Sequence, residues 1–178
     1  MERRAEEQIV QAARRGDMAA FGTLYERHYA TMVWVAYSIL LDRDQAEDVA
    51  QQAFVKACEK LGGLRRVDRF SPWLARICRN EAHQWIRQRR RSMPLCRSET
   101  AVVGDSEPDG PDIGVVKAAI NQLAPMYREI VILFYYNRMD YRQIASTLGV
   151  ALNTVRGRLF RARRQIERTL RKSGYPEG

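Results

Sequence analysis

Hydrophobic side chains in the first part of the chain recur three and four residues apart, the spacing that places them on one face of an α-helix. One such stretch covers residues 21–40 and follows Asp17, and a second covers residues 46–61 and follows Asp42 and Asp44. Aspartate is a common N-cap residue, so each stretch has a start signal as well as a helical period. Because no segment alternates polar and apolar residues over the length of a strand, we expect an all-α fold.

A further helix is predicted from Ser71-Pro72 to about Arg91, since serine caps helix N-termini and proline fits the first helical position. Its apolar side consists of Leu74, Ile77, Cys78 and Trp85. Its other side is polar and basic and carries Arg76, Asn80, His83, Arg87 and Arg90. Arginines beside aromatic rings suit single-stranded nucleic acid. We interpret Trp85 as a core residue and His83 as a surface residue, whereas Trp73, at the border, fits either role.

Residues 141–159 carry the pattern of a helix-turn-helix motif. Asp140 can cap a short first helix, and Gly149 follows it where the chain must turn with a positive φ. A second helix is predicted to begin near Leu152 or Asn153.

This second helix has a core stripe and a basic face. The stripe consists of Val155, Leu159, Ala162, Ile166 and Leu170. The opposite face, flanked by Arg156 and Arg158, consists of Asn153, Gly157, Phe160, Arg161, Arg164 and Arg168. In a DNA major groove, arginine can bridge guanine acceptors and Phe160 can contact a thymine methyl. Because Glu167 is the one acidic residue of the helix, a face of internally paired charges is the weaker interpretation.

The two helical parts are separated by residues 93–114, whose proline, glycine and acidic side chains predict a flexible acidic linker. We therefore expect a first domain at 1–92, the helix-turn-helix domain at 115–172 and a tail at 173–178. The chain has 30 Lys plus Arg against 21 Asp plus Glu, a formal net charge of +9. Such an excess favours a polyanionic partner, nucleic acid first and an anionic membrane surface second.

The sequence carries no sign of export. Residues 1–7 are charged, and the most apolar stretch, 31–41, is too short to span a bilayer. The cysteines Cys58, Cys78 and Cys96 form neither a C-x-x-C pair nor a disulfide framework. We expect a cytoplasmic protein with reduced thiols and with no metal or other cofactor.

Four segments together resemble the extracytoplasmic-function (ECF) sigma factors, the minimal members of the sigma-70 family. Asp48–Ala57 is similar to the family's helix that binds the β′ clamp helices of RNA polymerase. Phe70–Asn80 is similar to the segment that opens and reads the promoter −10 element, and Leu123–Glu129 and Tyr141–Arg163 to the domain that reads the −35 element. The resemblance implies two helical domains, like sigma regions 2 and 4, that direct promoter-specific transcription initiation.

The resemblance also implies roles for single residues. Contact with the polymerase clamp would come from Asp48, Gln51 and Gln52. The −10 strand would lie along Phe70, Trp73, Arg76 and Asn80, to which the polar helix face adds His83 and Arg87. A base would flip into a pocket formed partly by the loop before Ser71. The −35 duplex would be read by Arg156, Gly157, Phe160 and Arg161, to which the basic helix face adds Asn153 and Arg164.

The implied partners are promoter DNA, the RNA polymerase core, contacted at its β′ clamp helices and β flap, and an anti-sigma factor. We expect a monomer in the free state and no insertion into a membrane. The chain departs from the family pattern at Gln52, where many relatives carry an acidic residue, at Gln84, a frequent aspartate, and at Gly157, a frequent serine.

Two other classes of protein are alternatives. A stand-alone regulator would join the helix-turn-helix to a sensing domain and bind palindromic sites as a dimer. An enzyme would need a nucleophile or a metal-binding carboxylate cluster. The dense acidic cluster, Asp42, Asp44, Glu47 and Asp48, lies at the start of a predicted helix, where carboxylates stabilise the helix dipole. We therefore expect no catalytic activity.

Overall fold

In a computed structural model, the chain is described over residues 2–92 and 111–174 and divides into two compact units, residues 1–96 and 97–178. Every regular element in these described ranges is helical, which confirms the predicted all-α class. Most of the predicted linker, residues 93–110, lies outside the described residues, as does Cys96. Residues 111–114, which composition assigns to the linker, form the first turn of a helix, and a proline fits its first position.

The first unit consists of α1 (Glu2–Arg14), α2 (Met18–Leu40), α3 (Arg43–Lys60) and α4 (Phe70–Ser92). Two predicted helix starts are confirmed. The Asp17 carboxylate accepts a hydrogen bond from the Ala20 amide at 3.0 Å, and the Asp42 carboxylate accepts one from the Gln45 amide at 3.1 Å. Each bond satisfies a backbone donor that has no partner within its helix.

The helices α2, α3 and α4 pack against one another around an apolar core. Its fully or almost fully buried members include Leu24, Met32, Val35, Val49, Phe54, Leu74 and Cys78. On α3 the core face is largely alanine, at positions 46, 50, 53 and 57, all 0% exposed. The helices α2 and α4 pack against α3, and its opposite, polar side remains exposed to solvent.

The start of α4 differs from the prediction. Ser71 is not the N-cap, because α4 begins at Phe70 and continues directly from a 3-10 turn at Val67–Arg69. Pro72 still lies in the first turn, where its missing N–H group breaks no intrahelical hydrogen bond. The ring of Phe70 is only 1% exposed, so its burial anchors this end of the helix in the core.

The second unit consists of α5 (Pro111–Asn121), α6 (Pro125–Val131), α7 (Tyr141–Leu148) and α8 (Leu152–Lys172). A π-helical turn at Ile132–Tyr136 extends α6. Arg128 of α6 is 4% exposed and donates hydrogen bonds to the backbone carbonyls of Asn121 at 3.1 Å and Leu123 at 2.8 Å. These bonds tie the end of α5 to α6.

The helices α7 and α8 form the predicted helix-turn-helix motif. Asp140 begins α7 with a capping box, in which its carboxylate accepts from the Gln143 amide at 2.7 Å and its own amide donates to the Gln143 side chain at 2.8 Å. Gly149 ends α7 with a φ of +67°, and α8 begins at Leu152, both as the sequence predicts.

Within residues 2–92 and 111–174, no helix is both long and apolar enough to cross a membrane. The same residues contain no group of three or more His, Cys, Asp and Glu side chains suited to hold a metal ion.

Candidate DNA and polymerase interfaces

Helix α8 has one buried side and one exposed side. Val155, Leu159 and Ala162 are at most 1% exposed, whereas Phe160, the neighbour of Leu159 in sequence, is 62% exposed. Ile166, near the end of the predicted stripe, is half-buried. The exposed members of the predicted outer face are Asn153, Phe160, Arg161, Arg164 and Arg168. The flanking Arg156 is exposed as well, and Gly157 is partly exposed. The fold therefore brings the predicted −35 residues together on one solvent-facing surface.

The centre of this surface combines an apolar ring, a cation and open space. The Arg164 guanidinium lies 5.8 Å from the ring centroid of Phe160. Beside them, a Cβ atom built on Gly157 would meet no neighbouring atom within 4 Å. Further along α8, Glu167 forms an ion pair with Arg171 at 2.7 Å. The surface can therefore meet both phosphate and the apolar edge of a base.

Arg163 is an arginine of α8 to which the sequence analysis gives no role. Its Nε donates a hydrogen bond to the Tyr135 hydroxyl at 2.9 Å, and its guanidinium lies 5.3 Å and 5.7 Å from the ring centroids of Phe134 and Tyr135. These contacts tie α8 to the π-helical turn. The local sequence gives no signal for them, because the ring positions depend on how that turn is wound.

Helix α4 exposes three of the predicted −10 residues on one side: Arg76, Asn80 and Arg87. Trp73 is half-buried at the edge of this surface, with its ring centroid 6.0 Å from that of Phe70. Trp85, interpreted from the sequence as a core residue, is also half-buried, and the Arg89 guanidinium lies 5.3 Å from its ring centroid. The exposed side of α4 therefore carries two guanidinium groups and the amide of Asn80, with the partly exposed indole ring of Trp73 at its border.

The structure corrects the position of two predicted −10 residues. Phe70 is 1% exposed, so its ring belongs to the core and cannot itself touch a DNA strand. His83 is half-buried and its Nε2 atom is inaccessible to solvent, which corrects its interpretation as a surface histidine. The family resemblance placed Phe70 on the −10 surface and the polar pattern of α4 placed His83 there. Neither signal takes into account that α4 packs against both α2 and α3.

The exposed side of α3 carries all three predicted polymerase-binding residues: Asp48, Gln51 and Gln52. Val55, to which the sequence pattern gave no role, lies on the same side and is 60% exposed. Its position four residues after Gln51 and three after Gln52 is the signal that could have found it. A protein partner could cover the Val55 side chain and also bind the neighbouring polar groups.

The described cysteines, Cys58 and Cys78, are free thiols. Burial raises the pKa of the Cys78 thiol to about 12, and its Sγ donates to the backbone carbonyl of Met32 at 3.3 Å. Cys78 is therefore a packing residue of the first unit rather than a reactive group.

Models of two protein domains match the chain. The model of sigma-70 region 2 matches residues 24–92, and the model of sigma-70 region 4 matches residues 113–166. The first match contains α3, α4 and most of α2, and the second contains α6, α7 and most of α5 and α8.

Curated relatives and solved structures agree with these matches. The ECF RNA polymerase sigma factor SigL of Mycobacterium tuberculosis is 30% identical over 173 residues, which cover 93% of this chain and 97% of SigL. The probable RNA polymerase sigma factor RfaY of Xanthomonas campestris pv. campestris is 31% identical over 87% of this chain, which spans 41% of the length of RfaY. The sigma factor RpoE of Bartonella quintana, solved in complex with the anti-sigma factor NepR, is 26% identical with a TM-score of 0.73, covering 85% of this chain and 96% of that one.

The order of the two domains, the helix-turn-helix with its exposed basic face, and the identity to SigL over almost the whole of both chains lead to one assignment. The chain belongs to the ECF group of the sigma-70 family of RNA polymerase sigma factors.

Proposed function

We propose that this sigma factor directs RNA polymerase core to a defined set of promoters by holding the −35 duplex with its second unit and the opened −10 strand with its first. The observation that carries this proposal is the separation on α8 of a core side, with Leu159 1% exposed, from an outward side, with Phe160 62% exposed. Formation of the RNA phosphodiester bonds, with the metal ions that it needs, belongs to the polymerase, which works in the cytoplasm.

The −35 element is read by α8 lying in the major groove, as the second helix of such motifs does. Arg156, Arg161 and Arg164 bridge guanine acceptors or bind phosphate, and Asn153 can pair with an adenine edge. Phe160 contacts a thymine methyl, and Gly157, with no Cβ, allows the helix to approach the bases closely. The exposure of this surface supports the assignment.

The −10 non-template strand is captured by α4 once it is unpaired. Arg76 and Arg87 bind the strand's phosphates, Asn80 reads a base edge, and the half-buried Trp73 offers a ring for stacking. Flipping a base from the duplex costs a few kcal/mol, which its pocket contacts must offset. Phe70 and His83 act from behind this surface, because the fold covers them.

Polymerase binds at the exposed side of α3, where Asp48, Gln51 and Gln52 contact the β′ clamp helices and Val55 adds apolar area. The second unit contacts the β flap, and the acidic segment 93–110 joins the two units without attraction to DNA. An anti-sigma factor holds the otherwise monomeric protein inactive. The solved complex of the related RpoE with NepR supports a partner of this kind.

In vitro transcription of a library of genomic DNA fragments by core polymerase tests the proposal. We expect transcripts that require the protein and that start downstream of one shared pair of −35 and −10 motifs. The double variant Arg161→Ala/Arg164→Ala should lose this selection. Arg171→Ala, which removes an arginine of the same helix beyond the proposed surface, should retain it.

Two results would contradict the proposal. The first is a lack of protein-dependent transcripts from any fragment. The second is tight binding to palindromic DNA in the absence of polymerase, which a stand-alone regulator would give.

A further inference from the structure

His28 of α2 connects the N-terminal helix to the start of α4. Its Nε2 lies 3.0 Å from Oε1 of Glu6 in α1. On its other side, the imidazole ring meets Phe70 in an edge-to-face arrangement, with ring centroids 5.3 Å apart and an interplanar angle of 63°. The His28 side chain is 13% exposed, so the surrounding helices hold it in place.

Phe70 contacts both His28 and Trp73, and Trp73 lies at the edge of the proposed −10 surface. It is the first residue of α4, and its ring centroid lies 6.0 Å from that of Trp73. Phe70 itself is buried, whereas Trp73 is partly exposed. A continuous series of contacts therefore runs from the Glu6 carboxylate, through the imidazole and phenyl rings, to the indole ring.

We propose that His28 is a positioning residue for capture of the −10 strand: Glu6 orients its imidazole ring, and the imidazole ring, through Phe70, sets the orientation of Trp73. The inference rests on the proposed −10 role of α4. It makes α1, which lies outside the span matched by the region 2 model, a part of the DNA-capturing machinery.

Two physical effects support this role. Edge-to-face ring contacts have a preferred direction, so a fixed imidazole ring restricts the Phe70 ring. The Phe70 ring in turn lies against the Trp73 ring at an interplanar angle of 42°. A side chain that is already ordered loses less entropy when it binds its ligand. The hydrogen bond with His28 lowers the pKa of the Glu6 carboxyl below its ordinary value, so this contact favours the ionised carboxylate.

The test uses full-length variants, core polymerase and a promoter identified by transcript mapping. His28→Gln keeps a hydrogen-bonding group for Glu6 and removes the ring, while Glu6→Gln removes the charge and leaves the ring. Glu26→Gln, the same change at an exposed position of α2, is the matched control. Three affinities are measured: for core polymerase, for a −35 duplex, and for a forked probe whose −10 non-template strand is single.

We expect His28→Gln to weaken holoenzyme binding to the forked probe about three- to tenfold, the range that a directed ring contact supports. Binding to core polymerase and to the −35 duplex should stay within about twofold of wild type, a split that general unfolding would not give. Glu6→Gln should show a smaller loss and Glu26→Gln none. His28→Phe, which restores a ring beside Phe70, should recover part of the affinity.

Two outcomes would overturn the inference. Unchanged forked-probe binding in both His28→Gln and Glu6→Gln would remove the positioning role, and an equal loss of core binding would reduce His28 to a folding residue. Should His28→Gln fail to fold, Glu6→Gln and His28→Phe decide between these outcomes. A wild-type holoenzyme that binds the forked probe no better than a duplex would instead refute the proposed −10 role, and the inference with it.

Discussion

Leu159 and Phe160 are neighbours on α8, yet we expect their truncation to have opposite consequences. Leu159 is 1% exposed, so Leu159→Ala removes buried methyl groups, leaves a cavity and lowers the free energy of unfolding of the second unit by about 2–5 kcal/mol. Phe160 is 62% exposed and contacts the Arg164 side chain. Phe160→Ala should therefore change the free energy of unfolding by less than about 0.5 kcal/mol.

For promoter binding the order is reversed. The exposed ring of Phe160 would be covered by a thymine methyl in the groove, and losing roughly 40 Å² of apolar contact at about 25 cal/mol per Å² costs about 1 kcal/mol. That free energy corresponds to a loss of about fivefold in affinity for the −35 duplex. Leu159→Ala, at a temperature where the second unit is still folded, should bind the duplex nearly as wild type does.

Hydrogen exchange of α8 peptides in increasing urea measures the stability of the second unit, and fluorescence anisotropy of a labelled −35 duplex with holoenzyme measures the affinity. Equal destabilisation by both substitutions would contradict the separation of core side and outward side. Wild-type affinity in Phe160→Ala would refute a contact between this ring and DNA.

Three further results are expected. Gly157→Ala should raise the free energy of unfolding by roughly 0.5–1 kcal/mol in thermal or urea unfolding, because alanine favours a helix and the added Cβ meets no atom within 4 Å. A lower stability of this variant would mean that the added Cβ does meet a neighbouring atom. At pH 8 a thiol reagent should modify Cys58 in the native protein long before Cys78, because a pKa of about 12 leaves only roughly 10⁻⁴ of the Cys78 thiol as thiolate. Peptide mass mapping identifies the labelled residue, and equal labelling of both cysteines in the native protein would contradict the burial of Cys78. Glu6→Gln should lower the stability of the first unit at neutral pH. Because the pKa of Glu6 is lowered in the folded state, the stability difference from wild type should be complete above pH 4.5, the ordinary value, and should vanish as the pH falls through the lowered pKa. Urea unfolding at several pH values measures this difference, and a difference that grows in acid would contradict the assigned sign.

Much of the fold could be predicted because its signals are local. The carboxylates of Asp17, Asp42 and Asp140 each accept a hydrogen bond from the backbone amide three residues later, so these N-cap positions could be predicted from a few neighbouring residues. The helical period alone separated Leu159 from Phe160 on α8. The candidate −35 surface and the polar side of α3 followed from the same helical period, and the charged and amide side chains predicted on both are exposed.

The contacts that only the tertiary structure decided join residues far apart in the chain. Glu6 and His28 are 22 positions apart, and Tyr135 and Arg163 are 28 apart. Polarity and period give a side chain its direction from the helix axis but not the element that it meets there. The family resemblance placed Phe70 at a DNA surface, and the helical pattern gave Arg163 no role. Helix packing buried the first and engaged the second with two aromatic rings.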